Sequence, residues 1–241
     1  MKKRLDILLF ELGLVDSRKK ASDLIKEGKV FVHGVVINKP SKEFVGTEKI
    51  EITEVLKYVS RAGLKLEGAH KEFNFDIKDM VAVDVGSSTG GFTDFLLQNG
   101  IKKVYAVDVG TDQLVEKLKN DSRVVSLEKT DIRDIIKLPE KPDLAVIDVS
   151  FISLELILKK VSNLLKSKAK IIVLIKPQFE TSKEEKNRSG IVKNDEIRNK
   201  VLNNIRLYCQ NNNLNVQGII DSPILGGSGN KEYLLLLQKN N

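Results

Sequence analysis

The sequence predicts an α/β protein: a Rossmann-like domain on a mostly parallel central sheet, preceded by a small α+β domain. Three observations carry this. From Met80 onward, short and nearly continuous apolar runs alternate with helix-like segments, the pattern of strands buried on both faces of a parallel sheet. Each of those runs ends in a polar residue or a glycine-rich turn, on what would be one rim. Before that, the apolar pattern is shorter and interrupted, and basic residues crowd around one helix. The boundaries fall at 1–53 for the first domain, 54–59 for a linker and 60–241 for the second domain.

In the first domain, Leu5, Leu8, Leu9 and Leu12 recur at helical spacing over 4–13, and the helix stops near Gly13. Ser17 is a fitting N-cap for a second helix over 18–27, closed by Gly28. "KVFVHGVVIN" reads as a hairpin turning at Gly34, and "EKIEIT" as another short strand. In the second domain, a helix over 62–73 places Leu66, Ala69 and Phe73 on its buried face. Strands follow at 80–85, 103–109, 123–127, 143–149 and 170–176, separated by helices over 91–100, 111–119 and 153–165. Residues 181–193 are polar and read as an exposed loop. A long helix over 195–211 precedes two more strands, 214–220 and 232–238.

The 241 residues include 40 basic and 33 acidic side chains, a formal net charge of +7, and the pI is about 9.2. This balance tilts modestly towards a polyanionic partner. A single cysteine, Cys209, excludes an intrachain disulfide and a cysteine zinc site, and His33 and His70 have no metal-ligand spacing. The start, "MKKRLDILLFELGL", is basic and then apolar, but Asp6 and Glu11 interrupt it and no small-residue cleavage site follows. No apolar run approaches the roughly 18 residues of a membrane span. A cytoplasmic protein without a metal or stable membrane association is expected. Arg4, Arg18, Lys19, Lys20, Lys26, Lys29 and Arg61 are candidate RNA-contacting cations, since side chains on adjacent helical turns can track a phosphate backbone. The competing reading of the basic helix is a solvated face.

Open α/β sheets bind ligands beyond the carboxyl ends of their strands. Here the first strand ends in Asp84 and runs into "GSSTGGFTD"; the second ends in Asp108; the third leads to Asp131; the fourth ends in Asp148; the fifth ends in Lys176. Glycines at 86, 90 and 91 allow a tight turn and close approach to a ligand. Asp108, 22 residues after Gly86, stands where an acidic side chain accepts from the ribose hydroxyls of an adenosine cofactor. The loop departs from the G-x-G-x-x-G of nicotinamide enzymes and lacks the G-K-[ST] of a P-loop. A looser glycine turn with several acidic rim residues suits a cationic sulfonium cofactor, S-adenosylmethionine. The candidate cofactor residues are Asp84, Gly86, Ser87, Ser88, Thr89, Gly90, Gly91, Phe92, Asp108, Asp131, Ile132 and Asp148, with Asp131 facing the adenine amino group.

The segments "VDVGSSTGGFTDFLLQ", "VIDVSFISL", "LIKPQFE" and "SPILGGSGNKEYLL", in that order, resemble the TlyA (hemolysin A) family of ribosomal RNA 2′-O-methyltransferases. "SRAGLKLEGA" resembles that family's segment just before its catalytic domain, and residues 1–53 its RNA-binding domain of the ribosomal-protein type. The resemblance implies a Rossmann-like methyltransferase of the FtsJ/RrmJ type. It further implies methyl transfer from S-adenosylmethionine to a ribose 2′-hydroxyl of ribosomal RNA, with ribosomal subunits as partners, the large subunit first and the small one as a second candidate, and a cytidine as the expected target. Carried over motif by motif, its Lys–Asp–Lys–Glu catalytic set falls on Lys65, Asp148, Lys176 and Glu232. Lys176 is expected to orient the hydroxyl, with proton abstraction a further role that Lys65 would favour and the two carboxylates oppose. Two rival readings are an RNA-binding assembly factor with an inactive catalytic domain and a membrane-active hemolysin. The retained motifs oppose the first, and the missing membrane span opposes the second.

Overall fold

The apolar runs beyond Met80 assemble into one seven-stranded sheet in the computed structural model, which describes all residues except 1, 16, 34, 53–56, 227, 228 and 241. The chain divides into two units, Met1–Lys57 and Tyr58–Asn241. Of the expected linker, residues 54–56 lie outside the described residues. Tyr58, 3% exposed, belongs to the core of the second unit.

In the first unit, β1 (Lys3–Arg4), α1 (Leu5–Glu11), α2 (Arg18–Lys26), β2 (Val30–Val32), β3 (Val35–Val36), β4 (Glu43–Phe44) and β5 (Ile50–Ile52) follow in order. Ser17 caps α2 by accepting from the Lys20 amide at 3.2 Å. Strand β2 lies between β3 and β5, and β1 pairs with β4. Leu5, Leu9, Ala21, Leu24, Ile25 and Val30 form the core. Helix α1 is shorter than its leucine spacing predicts: it ends before Leu12, which is half exposed. The expected hairpin pairs Val32 with Val35, and Gly34 at its turn lies outside the described residues.

The second unit runs α3 (Ala62–Phe73), β6 (Val81–Val85), α4 (Gly91–Gln98), β7 (Lys103–Val107), α5 (Glu116–Lys119), β8 (Val124–Leu127), β9 (Leu144–Ile147), α6 (Leu158–Leu164), β10 (Lys170–Ile175), α7 (Asp195–Asn211), β11 (Leu214–Asp221) and β12 (Tyr233–Lys239). Strand order is β11-β12-β10-β9-β6-β7-β8, with β12 antiparallel to both its neighbours, β10 and β11, and every other pair parallel. The two-residue alternation of a strand decides which layer each side chain joins. Val81, Val83 and Val85 pack on one face with Leu158, Val161, Val201 and Ile205 of α6 and α7. Ala82, between them, faces Leu66 and Ala69 of α3 and Phe95 and Leu96 of α4 on the other. Both faces are covered, which is why the strands read as continuous apolar runs.

The chain passes from β6 to β7 and β8 on one side, then returns to β9 and β10 on the other. The strand order therefore reverses between β6 and β9, and a crevice opens there beyond the strand ends.

The helix expected over 111–119 begins only at Glu116. The carboxylate of Glu128 accepts the amides of Asp112, Gln113 and Leu114, each at 2.9 Å, and holds that stretch as a loop. The helix expected over 153–165 is divided into a 3-10 turn, Leu154–Leu156, and α6.

Candidate active site

A cavity of about 410 Å³ fills the crevice. Its wall includes Gly86, Ser88, Asp108, Asp131, Ile132 and Asp148, from the ends of β6, β7 and β9 and the segment after β8. Gly86 sits at φ +79°, and a Cβ there would stand 2.6 Å from the Asp148 carbonyl oxygen, so the turn requires glycine twice over. Asp108 accepts the Ser88 amide at 2.8 Å on one carboxylate oxygen and the Gly110 amide at 2.7 Å on the other. That locks its orientation while each oxygen keeps a lone pair for a ligand hydroxyl.

Asp131 caps the turn at Ile132–Asp134 and is clamped by the Arg133 guanidinium at 2.6 Å, which holds its carboxyl below the usual range. Asp84 lies beneath the turn, fully buried. One of its oxygens accepts from Thr93 Oγ1 at 2.7 Å and the other has no partner among the described residues. Burial, with the Asp148 and Asp108 carboxylates nearby, pushes it up to about 7. An acidic wall above a buried, partly unpaired carboxyl fits a cationic ligand.

Not every candidate cofactor residue reaches the cavity. Phe92 is 2% exposed in the hydrophobic core. Ser87 is buried, and Gly90 and Gly91 form the entry of α4. Thr89 is exposed, and its carbonyl accepts the Val115 amide at 3.3 Å.

Four segments far apart in sequence supply two lysine–carboxylate pairs. Lys65 on α3, 8% exposed, lies 2.5 Å from Glu232 Oε2. Lys176 Nζ lies 2.6 Å from Asp148 Oδ1, an ion pair without hydrogen-bond alignment, and donates to Ser150 Oγ at 2.9 Å. Strand register brings the pairs side by side: Ile175 on β10 is paired with Tyr233 on β12, so Lys176 and Glu232 leave the sheet together. With Asp148 and Ser150 in the cavity wall, this centre adjoins the crevice.

Sequence reasoning did not single out Ser150 or Phe151. Phe151 is 91% exposed, sits at φ +65° and rests against Phe179 with ring centroids 4.8 Å apart. A bulky residue held in the left-handed region is an outlier that marks functional sites. The signal available was an aromatic side chain three residues after a rim aspartate. Sequence reasoning also missed Asp94, buried on α4, which accepts the Val59 amide at 2.8 Å and fastens the start of the second unit beside the glycine turn.

Among the candidate RNA-contacting cations, Arg4 makes two hydrogen bonds to Asp6, and Arg18 stands 3.8 Å from the same carboxylate. Lys29 stands 4.0 Å from Glu27, and Arg61 donates to the Leu225 carbonyl at 2.7 Å. Lys19, Lys20 and Lys26 lie on α2 with exposed side chains.

An adenosine-sized crevice at the reversal of a doubly wound sheet, bordered by ammonium and carboxylate groups, defines a group-transfer enzyme that uses a nucleoside cofactor. Comparison with known proteins narrows the class. Residues 58–239 match the FtsJ-like methyltransferase model, and residues 3–47 match the S4 domain. Hemolysin A of Brachyspira hyodysenteriae is 44% identical, covering 96% of this chain and 98% of its own. The 16S/23S rRNA (cytidine-2′-O)-methyltransferase TlyA of Mycobacterium tuberculosis is 37% identical, covering 98% and 89%. A solved candidate hemolysin from Streptococcus thermophilus is 42% identical, with a TM-score of 0.78 over 100% of this chain and 89% of that one. The chain belongs to the FtsJ-like methyltransferase family, in its TlyA (hemolysin A) group. No described helix is long and apolar enough to cross a membrane.

Proposed function

We propose that this chain transfers the methyl group of S-adenosylmethionine to the ribose 2′-hydroxyl of a cytidine in ribosomal RNA, as a cytoplasmic enzyme acting on ribosomal subunits. The paired lysines and carboxylates beside the crevice carry the reading. When bound, S-adenosylmethionine supplies an activated methyl on a positively charged leaving group. Gly86, Ser88, Asp108, Asp131 and Ile132 would hold it, with Asp108 receiving ribose hydroxyls.

The chain's own part is to position the acceptor. Lys176, fixed between Asp148 and Ser150, points its remaining N–H groups at an incoming hydroxyl. Lys65 and Glu232, buried as a pair, set the other side of that position. Asp148 faces Lys176 as an ammonium partner, so this geometry favours orientation of the hydroxyl over proton abstraction by Lys176, and the hydroxyl proton passes to solvent as the O–CH3 bond forms and the S–CH3 bond breaks. Fixing two reactants in line can remove roughly 7–11 kcal/mol of a barrier. Phe151 offers an exposed aromatic face on which the target base stacks, an interaction worth about 1–3 kcal/mol per base. The S4 domain brings the enzyme to RNA.

The test is transfer of labelled methyl to ribosomal subunits from a strain lacking the modification, with the labelled nucleotide mapped. Wild type labels a cytidine 2′-oxygen; Lys176→Ala transfers on the order of 10²–10³ times more slowly while binding the cofactor equally well. Label on a base, or none on either subunit, would refute the reaction. Equal rates for both proteins would refute the role of Lys176 alone.

A further inference from the structure

The loop that carries Glu232 has a second side. Residues 222–232 join β11 to β12, and the described ones are tied by short-range bonds: Ser222 N donates to the Glu232 carbonyl at 2.9 Å, and Gly226 N to the Asn230 carbonyl at 2.9 Å. Asn230, 2% exposed, stitches this loop to the polar stretch before α7. Its Oδ1 accepts the Val192 amide at 3.0 Å, and its Nδ2 donates to the Gly190 carbonyl at 3.2 Å. Arg198 on α7 secures the same stretch from below, donating to the Val192 carbonyl at 2.5 Å with only 11% of its side chain exposed. Two loops that the sequence shows only as polar and glycine-rich are thus one built body.

Between them lies a concavity of about 540 Å³, lined in part by Lys193, Arg198, Ser222, Leu225 and Lys231. Its charge is predominantly positive. Lys193 is exposed and has no partner among the described residues. Lys231 remains 41% exposed while it pairs with Asp221 at 2.8 Å, and Arg198 pairs with Asp195 at 2.5 Å. Arg61 adds a cation at the border through its bond to Leu225. Four cations, Lys193, Arg198, Lys231 and Arg61, thus stand with two carboxylates, Asp195 and Asp221, around the loop whose other side carries Glu232. A Cβ on Gly226 would collide with the Glu232 carboxylate, so the loop backbone lies directly against the catalytic centre.

We propose that this concavity is a subsite for a backbone phosphate of the RNA strand flanking the target nucleotide. The proposal rests on the functional reading above. A strand that presents its ribose to Lys176 and Glu232 must carry its neighbouring phosphates across this loop. Lys193 and Lys231 supply flexible ammonium groups of the kind that displace counterions from a phosphate backbone, and Ser222 supplies a hydroxyl. Arg198 and Asn230 serve as positioning residues that hold the cations in place.

The test uses the full-length protein, its variants Lys193→Glu and Lys193→Glu/Lys231→Glu, and purified ribosomal subunits lacking the modification. Equilibrium binding is measured across a salt series without methyl transfer, and kcat and KM are measured separately. The double variant is expected to bind at least fivefold more weakly. Its log–log salt slope should be shallower by about one to two, and its KM raised with kcat and cofactor affinity within twofold of wild type. Lys193→Arg should restore the binding lost in Lys193→Glu. Unchanged affinity and slope overturn the subsite. A fall in kcat without a change in binding also overturns it, since the loop would then act through Glu232 alone. If wild type binds subunits but transfers no methyl, the reaction fails while the subsite is still judged on binding. If wild type binds neither subunit, both fail.

Discussion

Asp84, next to last in β6, has no exposed surface, one oxygen held by Thr93 and the other without a partner among the described residues. Burial lifts it from the ordinary 3.8 to about 7, helped by the Asp148 and Asp108 carboxylates. The folded protein therefore retains a proton that the unfolded chain has lost between about pH 4 and pH 7. Stability contributed by that proton is present at the acidic end of this window and is lost as pH rises through 7. Asp84→Asn, which cannot ionise, should lose less stability between pH 5 and pH 8 than wild type, by on the order of 5 °C in Tm. Equal losses in thermal melts would show that Asp84 is already ionised at pH 5. A sulfonium cation in the cavity favours the ionised form, so S-adenosylmethionine should raise the Tm of wild type more at pH 8 than at pH 5.

At the scale of elements, the entry to the second unit is held by close packing around Tyr58. A Cβ on Gly63 would lie 2.5 Å from Tyr58 Cβ and Cδ2, so the first turn of α3 closes over the tyrosine only because residue 63 is glycine. Alanine would gain about 1 kcal/mol of helix propensity but meet an overpacking cost of about 1–3 kcal/mol. Gly63→Ala should therefore destabilise the protein in urea. The same change in a Tyr58→Ala background should be neutral or stabilising, and a cost that persists there would place the clash elsewhere.

The strands, the long helix α7 and the span of α3 were legible in the sequence because their periodicity is local. Helix 111–119 was not, because the carboxylate that unwinds its first half, Glu128, lies on a different segment. The limits of the candidate site have the same physical origin. Strand-end aspartates can be counted along the chain, and motif resemblance singled out Lys65 and Glu232. The approach of Glu232 to Lys176 depends on the register between β10 and β12, and its pairing with Lys65 on the packing of α3, neither of which a local pattern encodes. Phe92 shows the reverse: a residue inside the glycine motif that the motif itself sends into the core.

At the scale of the whole molecule, each unit has a core of its own. Substitutions on the exposed face of α2 should accordingly act on RNA binding without touching cofactor binding. Lys19→Glu/Lys26→Glu should weaken subunit binding and reduce the salt slope by about two, with S-adenosylmethionine affinity unchanged. Unaltered subunit binding would move the RNA face of this unit away from α2.

The position of β12 has a consequence for the order of the chain. Glu232 is the last of the four grouped residues in sequence, yet the strand it leads into takes an interior place between β10 and β11. The five parallel strands that shape the crevice all precede in sequence the carboxylate that pairs with Lys65. On the reaction proposed above, the residues of the methyl donor's seat all precede Glu232 in sequence, so the acceptor's side of the centre is the last to be completed along the chain.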